Sequence, residues 1–185
     1  MKWLLVSVVI ILFSIAAFPA QAQHWPEFPD DSQLKEKADY AKYESLMKDV
    51  ADWLEETDLD KQPELRQEVN VFVLRWLTGS PNVTIVVSSE FANLVEKNPK
   101  LIAVYMARYA SYCITNNAYK DPAPPTKAAL LSLVKVYQKG IDVTKTKAIK
   151  KLLAAIDENK LDEYITKYMI ADRNDPGMGK TAGQQ

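Results

Sequence analysis

From residue 38 to residue 169 the apolar side chains recur every three or four positions, and proline stands only where that rhythm stops or restarts. Proline cannot donate in a helix interior and clashes with the preceding turn, so its placement marks joints. Pro26, Pro29, Pro63, Pro81, Pro99, Pro122, Pro124, Pro125 and Pro176 all lie between periodic segments or at the first turn of one. A 3.6-residue repeat punctuated in this way specifies amphipathic helices. Short loops make successive helices antiparallel. The chain is therefore expected to be all-α: a six- to seven-helix bundle, or a short stack of antiparallel helical hairpins, with one extended segment at 83–87.

Seven helical runs can be read. The first covers 38–56, with Tyr43, Leu46, Met47, Val50, Trp53 and Leu54 on one face. The second starts at Pro63, a residue suited to a first turn, and carries Leu65, Val69, Phe72, Val73, Trp76 and Leu77. A short third run, ending near 97, takes Ser88 or Ser89 as its N-cap. Asn98 is expected to cap the fourth, 99–117, in which Arg108 is the lone charge between Leu101 and Asn117. A helix that is apolar nearly all round belongs at the centre of a bundle. A rigid loop, 118–125, precedes the fifth run at 126–139; the sixth covers 145–158 and the seventh 161–169. Gly79 and Gly140 each follow an apolar periodic run, where a C-capping glycine belongs. Residues 23–37 read as an extended arm whose Trp25 and Phe28 can pack back on a single helical domain at 38–171. The tail, 172–185, has no apolar periodicity and is expected to be disordered.

The stretch TGSPNVTIVVSSE, 78–90, breaks the helical pattern. Ser80-Pro81 blocks the second helix, and Val83, Thr84, Ile85, Val86 and Val87 follow as a β-branched run that favours extended backbone. Five extended residues cover about 17 Å, enough to pass from one end of a helix layer toward the other. Left exposed, so apolar a run invites aggregation, so it is expected to be buried or paired, with IDVT at 141–144 as the only other candidate strand. The alternative is an edge offered to a partner's sheet.

The first 22 residues have the layout of a secretory leader: Lys2, an uncharged apolar run from Trp3 to Phe18, and the small-residue box Ala20-Gln21-Ala22. The apolar run is shorter than the roughly 20 residues that span a bilayer, and Pro19 breaks it. Cleavage between Ala22 and Gln23 is expected, leaving an exported chain with no stable membrane anchor. No Cys follows the box, which argues against a lipid-anchored lipoprotein. The remaining length suits one ordinary core. Cys113, the single cysteine, cannot pair within the chain, and its apolar neighbours suit a small buried hydrophobe better than a reactive thiol.

A formal net charge of −1 argues against a nucleic-acid partner. The charges are nonetheless segregated. Residues 27–68 hold 14 acidic and 6 basic side chains, and residues 69–151 hold 4 acidic and 12 basic. Either the acidic early helices fold against the basic middle ones, or the surface is bipolar and orients a partner. Six lysines between Lys135 and Lys151 could touch an anionic lipid or polymer, although their spacing also fits solvated helix faces.

The residues needed for several chemistries are missing. His24, the one histidine, sits beside the expected new amino terminus, whereas Ser-His-Asp and Cys-His sites need a base held rigidly. Zinc needs three or four ligands. No catalytic residue, metal site or cofactor is therefore assigned; an enzyme built on carboxylates and tyrosines stays open as a third reading. Asp58-Leu59-Asp60 with Glu64 resembles the start of a calcium loop but lacks its Gly and closing Glu, and reads as a solvated turn. GMGKT at 177–181 lacks the upstream Gly of a phosphate loop. On the fourth helix, Tyr105, Arg108, Tyr109 and Tyr112 share one face. They are either an aromatic groove for a sugar or peptide, with Arg108 reading an acid, or core packing with Arg108 paired to the first helix. Arg75 poses the same choice. Asn82-Val83-Thr84 is an N-glycosylation sequon, relevant only in a eukaryotic secretory pathway.

With DYAKYESLMKDVADWLEETDLDKQ followed by VFVLRWLTGSPNVTI, the chain is similar to a set of small secreted helical proteins of Bacteroidota-type bacteria. These share an aromatic first helix, a W-[LI]-T-G-S-P helix end and a β-branched run after it; the resemblance covers most of 38–170, and the closely matching residues lie in 38–87. The resemblance implies a Gram-negative periplasmic or secreted location and carries no activity or site residues with it. The expected role is a non-enzymatic binding or assembly protein of the cell envelope with a protein partner there. A small-ligand binder working through the fourth-helix aromatic face is the alternative.

Overall fold

The computed structural model describes Trp25 and residues 27–171. The leader with Ala22 and Gln23, His24, and the tail with GMGKT lie outside the described residues. The fold is all-α: α1 (Lys37–Lys42), α2 (Glu44–Glu56), α3 (Pro63–Gly79), α4 (Ser89–Val95), α5 (Leu101–Asn116), α6 (Ala123–Gln138), α7 (Lys147–Asp157) and α8 (Leu161–Tyr164), the last running into a π-helical turn at Ile165–Met169. There is no strand among the described residues.

α5 is the centre. Its Ala103, Ala107 and Ala110 are buried, and such small side chains let the two flanking helices, α2 and α6, approach closely. α3 crosses α5 beside α2, while α4, α7, α8 and the π turn pack on one another at the α6 side. Met47, Val50, Leu54, Val69, Phe72, Val73 and Trp76 bury the faces anticipated for the first two helices. No helix among the described residues is long and apolar enough to cross a membrane.

Four local expectations need correction, each for a visible reason. The single helix at 38–56 is two, broken at Tyr43 (φ −107°, ψ 8°). The Tyr40 carbonyl accepts from the Trp76 indole N–H at 3.1 Å, so a neighbouring helix competes for an oxygen the continuing ladder would use. Pro124 and Pro125 belong to the first turn of α6 rather than to a loop, where their missing N–H groups cost no hydrogen bond. Gly79 is the last helical residue, with Ser80 beyond it. Its reason for being glycine is close approach, because a methyl there would overlap the Tyr40 ring. Gly140 does follow the anticipated logic, with φ +72° just past α6. Asn98, finally, does not cap α5.

Asn98 is buried. Its amide donates to the Thr144 carbonyl at 3.0 Å and accepts from the Thr144 N–H at 2.7 Å. One side chain thereby imitates a partner strand for IDVT, which is not a strand. Asn98→Ala is expected to lower stability by about 2 kcal/mol, since Thr144 would be left unpaired on both groups. Asn98→Asp keeps one acceptor and should recover part of the loss; a urea titration of the three proteins reads the order directly.

Trp25 and Phe28 pack back as anticipated. Trp25 meets Trp53 edge-on at 6.1 Å, and Phe28 stacks on Phe72 at 5.3 Å. Beneath them lies an unforeseen buried cation. The Arg66 guanidinium covers the Trp53 ring at 5.0 Å. It donates to the Thr57 and Asp58 carbonyls at 3.1 and 2.9 Å. These carbonyls lie just past the last residue of α2, so the cation sits at the negative end of that helix.

Candidate functional site

The face drawn by Tyr105, Arg108, Tyr109 and Tyr112 is a packing face. Tyr105 and Tyr109 are buried, and the Tyr105 ring lies 4.5 Å from Phe91 and 6.4 Å from Tyr109. Burial pushes the Tyr105 phenol up to about 12, despite a hydrogen bond with Thr126. Tyr112 is half-buried. Arg108 pairs with Asp52 and Glu55 of α2, each at 2.9 Å.

Glu55 is the hub of that contact, since Lys135 of α6 also reaches it at 2.6 Å. Burial raises the Glu55 carboxyl, but Lys135, Ser132 and Arg108 together hold it below the usual glutamate range. Lys139 adds a bond to Asp58 at 3.3 Å, which also accounts for the false calcium loop: Asp58 faces Lys139, and Asp60 faces Lys61. The segregated charges of the sequence thus meet across the α2–α5–α6 contact. Arg75 likewise engages the arm, with Asp31 at 2.6 Å and the Pro29 carbonyl at 2.9 Å. Burial raises the Cys113 thiol to about 11, so it is protonated and unreactive at neutral pH.

Two features were not foreseen. A cleft of about 470 Å³ lies over α3, lined by Asp31, Leu34, Tyr40, Val71, Leu74, Arg75, Thr78 and Gly79. Val71 and Leu74 are 45% and 50% exposed. Both sit off the apolar stripe of α3, which was the available signal. A second cluster joins α4, α7 and α8. The Tyr164 hydroxyl donates to Glu90 at 2.7 Å, Lys151 pairs with the same oxygen at 3.1 Å, and the Lys151 ammonium lies 3.5 Å from the Tyr168 ring centre. Burial, then the bond to Glu90, drives the Tyr164 phenol far up. Glu90 and Tyr164 are 74 residues apart, a separation no local pattern reveals. Among the described residues no group of three or more His, Cys, Asp or Glu side chains is placed to hold a metal.

The 83–87 segment has no regular secondary structure and is neither fully buried nor paired among the described residues. Val83 is buried and Ile85 packs on the core, while Thr84 is exposed and Val87 is 63% exposed. No backbone hydrogen bond involving these five residues forms among the described residues. Ser88 ends the run by capping α4, its hydroxyl accepting from the Phe91 N–H at 3.1 Å. The segment thus holds Val83 and Ile85 against the core, and its backbone donors and acceptors have no partner among the described residues.

No family model matches the chain, and neither a curated protein nor a solved structure matches it.

Proposed function

We propose that this chain is an exported binding or assembly protein of the cell envelope, and that it adds residues 83–87 as an edge to an extended segment of a protein partner. One observation carries the reading: five successive β-branched residues lie outside any helix and form no backbone hydrogen bond among the described residues. An extended peptide laid along such an edge gains main-chain bonds, with alternate side chains supplying selectivity. Thr84 and Val87 are exposed, so their side chains are free to meet those of a strand laid alongside. The signal-like leader and the resemblance to secreted Bacteroidota-type proteins support the envelope setting.

The test uses residues 23–185, cross-linked in the native envelope and recovered with what is attached. Thr84→Lys with Val87→Lys is expected to abolish recovery of the partner without lowering the melting temperature, because charges blunt an edge and both positions are exposed. In the recovered complex, the amides of 83–87 should be protected from hydrogen exchange. Equal recovery with the double variant, or unprotected amides in the complex, refutes the edge.

The cleft over α3 favours a second reading, capture of a small apolar ligand. Its exposed Val71 and Leu74, with the Arg75–Asp31 pair alongside, would bind an aliphatic group. Leu74→Glu should then remove any ligand-induced rise in melting temperature seen with the unmodified protein.

A further inference from the structure

We propose that the face formed by α7 and the π turn docks on an anionic membrane surface through Lys145, Lys147, Lys150 and Lys167. α7 starts at Lys147 with Thr146 as its N-cap, and its first turn holds no acid. The amino end of a helix carries partial positive charge, so stability alone would place Asp or Glu there. This helix instead begins among Lys145, Lys147, Lys150 and Lys151. α5 and α6 also lack an acid in their first turn; what sets α7 apart is four lysines within seven residues and no acid from 143 to 156.

Many basic side chains find acids: Arg75 with Asp31, Arg108 and Lys135 with Glu55, Lys127 with Asp162, and Lys151 with Glu90. Lys35, Lys37, Lys48 and Lys120 pair with none among the described residues, but each adjoins an acid in the chain. Lys145, Lys147, Lys150 and Lys167 are exposed and pair with no carboxylate among the described residues. Asp142, the acid nearest Lys145 in the chain, is engaged by Lys100.

Tyr168 brings the two elements onto one face. Its ring centre is 3.5 Å from the Lys151 ammonium and 5.1 Å from that of Lys167, so Lys167 flanks the α7 row. Tyr168 is itself partly exposed. A partly exposed phenol ring beside lysine ammonium groups matches a lipid interface, where cations meet phosphate and an amphipathic ring sits at the headgroup level. That feature favours a lipid surface over a soluble polyanion. Attachment of this kind is peripheral and reversible. The inference rests on the envelope placement proposed above but uses none of residues 83–87, so failure of the edge variants leaves it standing.

Residues 23–185 are mixed with phosphatidylcholine vesicles made with or without phosphatidylglycerol, and the sedimented fraction is measured at low and high salt. Binding is expected only with phosphatidylglycerol and is lost at high salt. Lys147→Gln with Lys150→Gln should weaken it about thirtyfold, and Lys167→Gln on the other element about fivefold. The melting temperature of the double variant should stay level or rise, since two cations leave the positive end of α7; a merely structural role would lower it. Lys97→Gln, at an exposed lysine beside Glu96, is expected to bind like the parent. Equal binding to neutral vesicles, undiminished binding by the double variant, or retention on soluble polyphosphate with none on vesicles would overturn the proposal.

Discussion

Gly79→Ala is expected to lower the unfolding free energy by about 3 kcal/mol, although alanine is the better helix former by about 1 kcal/mol. Gly79 closes α3 directly under the ring of Tyr40, and a methyl there would overlap the phenol oxygen and Cζ. Tyr40 cannot simply swing aside. It is buried, its hydroxyl donates to the Leu34 carbonyl at 3.1 Å, and its ring meets Trp76 edge-on at 6.3 Å. Any relief must therefore move α1 or the arm, and with them the walls of the α3 cleft. Urea titration of the single variant measures the loss. The same change in a Tyr40→Ala background should be neutral or stabilising, because the obstructing ring is gone and helix propensity alone remains. A stabilised single variant would show that Tyr40 does not occupy this position.

The contrast between Gly79 and Gly140 shows how far the sequence could be read. Both follow apolar runs, and local chemistry assigned both to the same capping role. Gly140 fills it with positive φ, whereas Gly79 answers to a ring 39 positions earlier in the chain. The same division holds throughout. Helix existence, the central place of α5 and the caps at Ser88 and Gly140 were legible because periodicity and capping are local. The break at Tyr43, the clamp between Asn98 and Thr144, and the Glu90–Tyr164–Lys151 cluster were not, because each depends on a partner dozens of residues away. Arg108 lies between these cases. Its isolation on an apolar helix marked it as constrained, but whether by a ligand or by α2 depended on what packed opposite. The exposed half of 83–87 was hidden for a related reason: β-branching indicates extended backbone and says nothing about which side meets the core.

Glu55→Ala is expected to destabilise the fold by about 2 kcal/mol, a figure already reduced for the partial exposure of its partners. Glu55 bridges Arg108 of α5 and Lys135 of α6 from α2, so its loss leaves Arg108 with Asp52 alone and Lys135 with no carboxylate among the described residues. Arg108→Met should cost less, because Glu55 keeps Lys135 and the methionine retains much of the packing. Acid provides an independent test of sign. The folded-state pKa of Glu55 is depressed, so its contribution is fully present above the unfolded-state value and is lost as pH falls through the folded-state one. Below the usual glutamate range, the unmodified protein should therefore lose stability more steeply than Glu55→Gln, and the two curves should converge at the acid end. Parallel curves would mean that the carboxylate is not held by these cations. A ligand that raises the melting temperature of the unmodified protein, but not of Arg108→Met, would return the tyrosine face to consideration as a binding site.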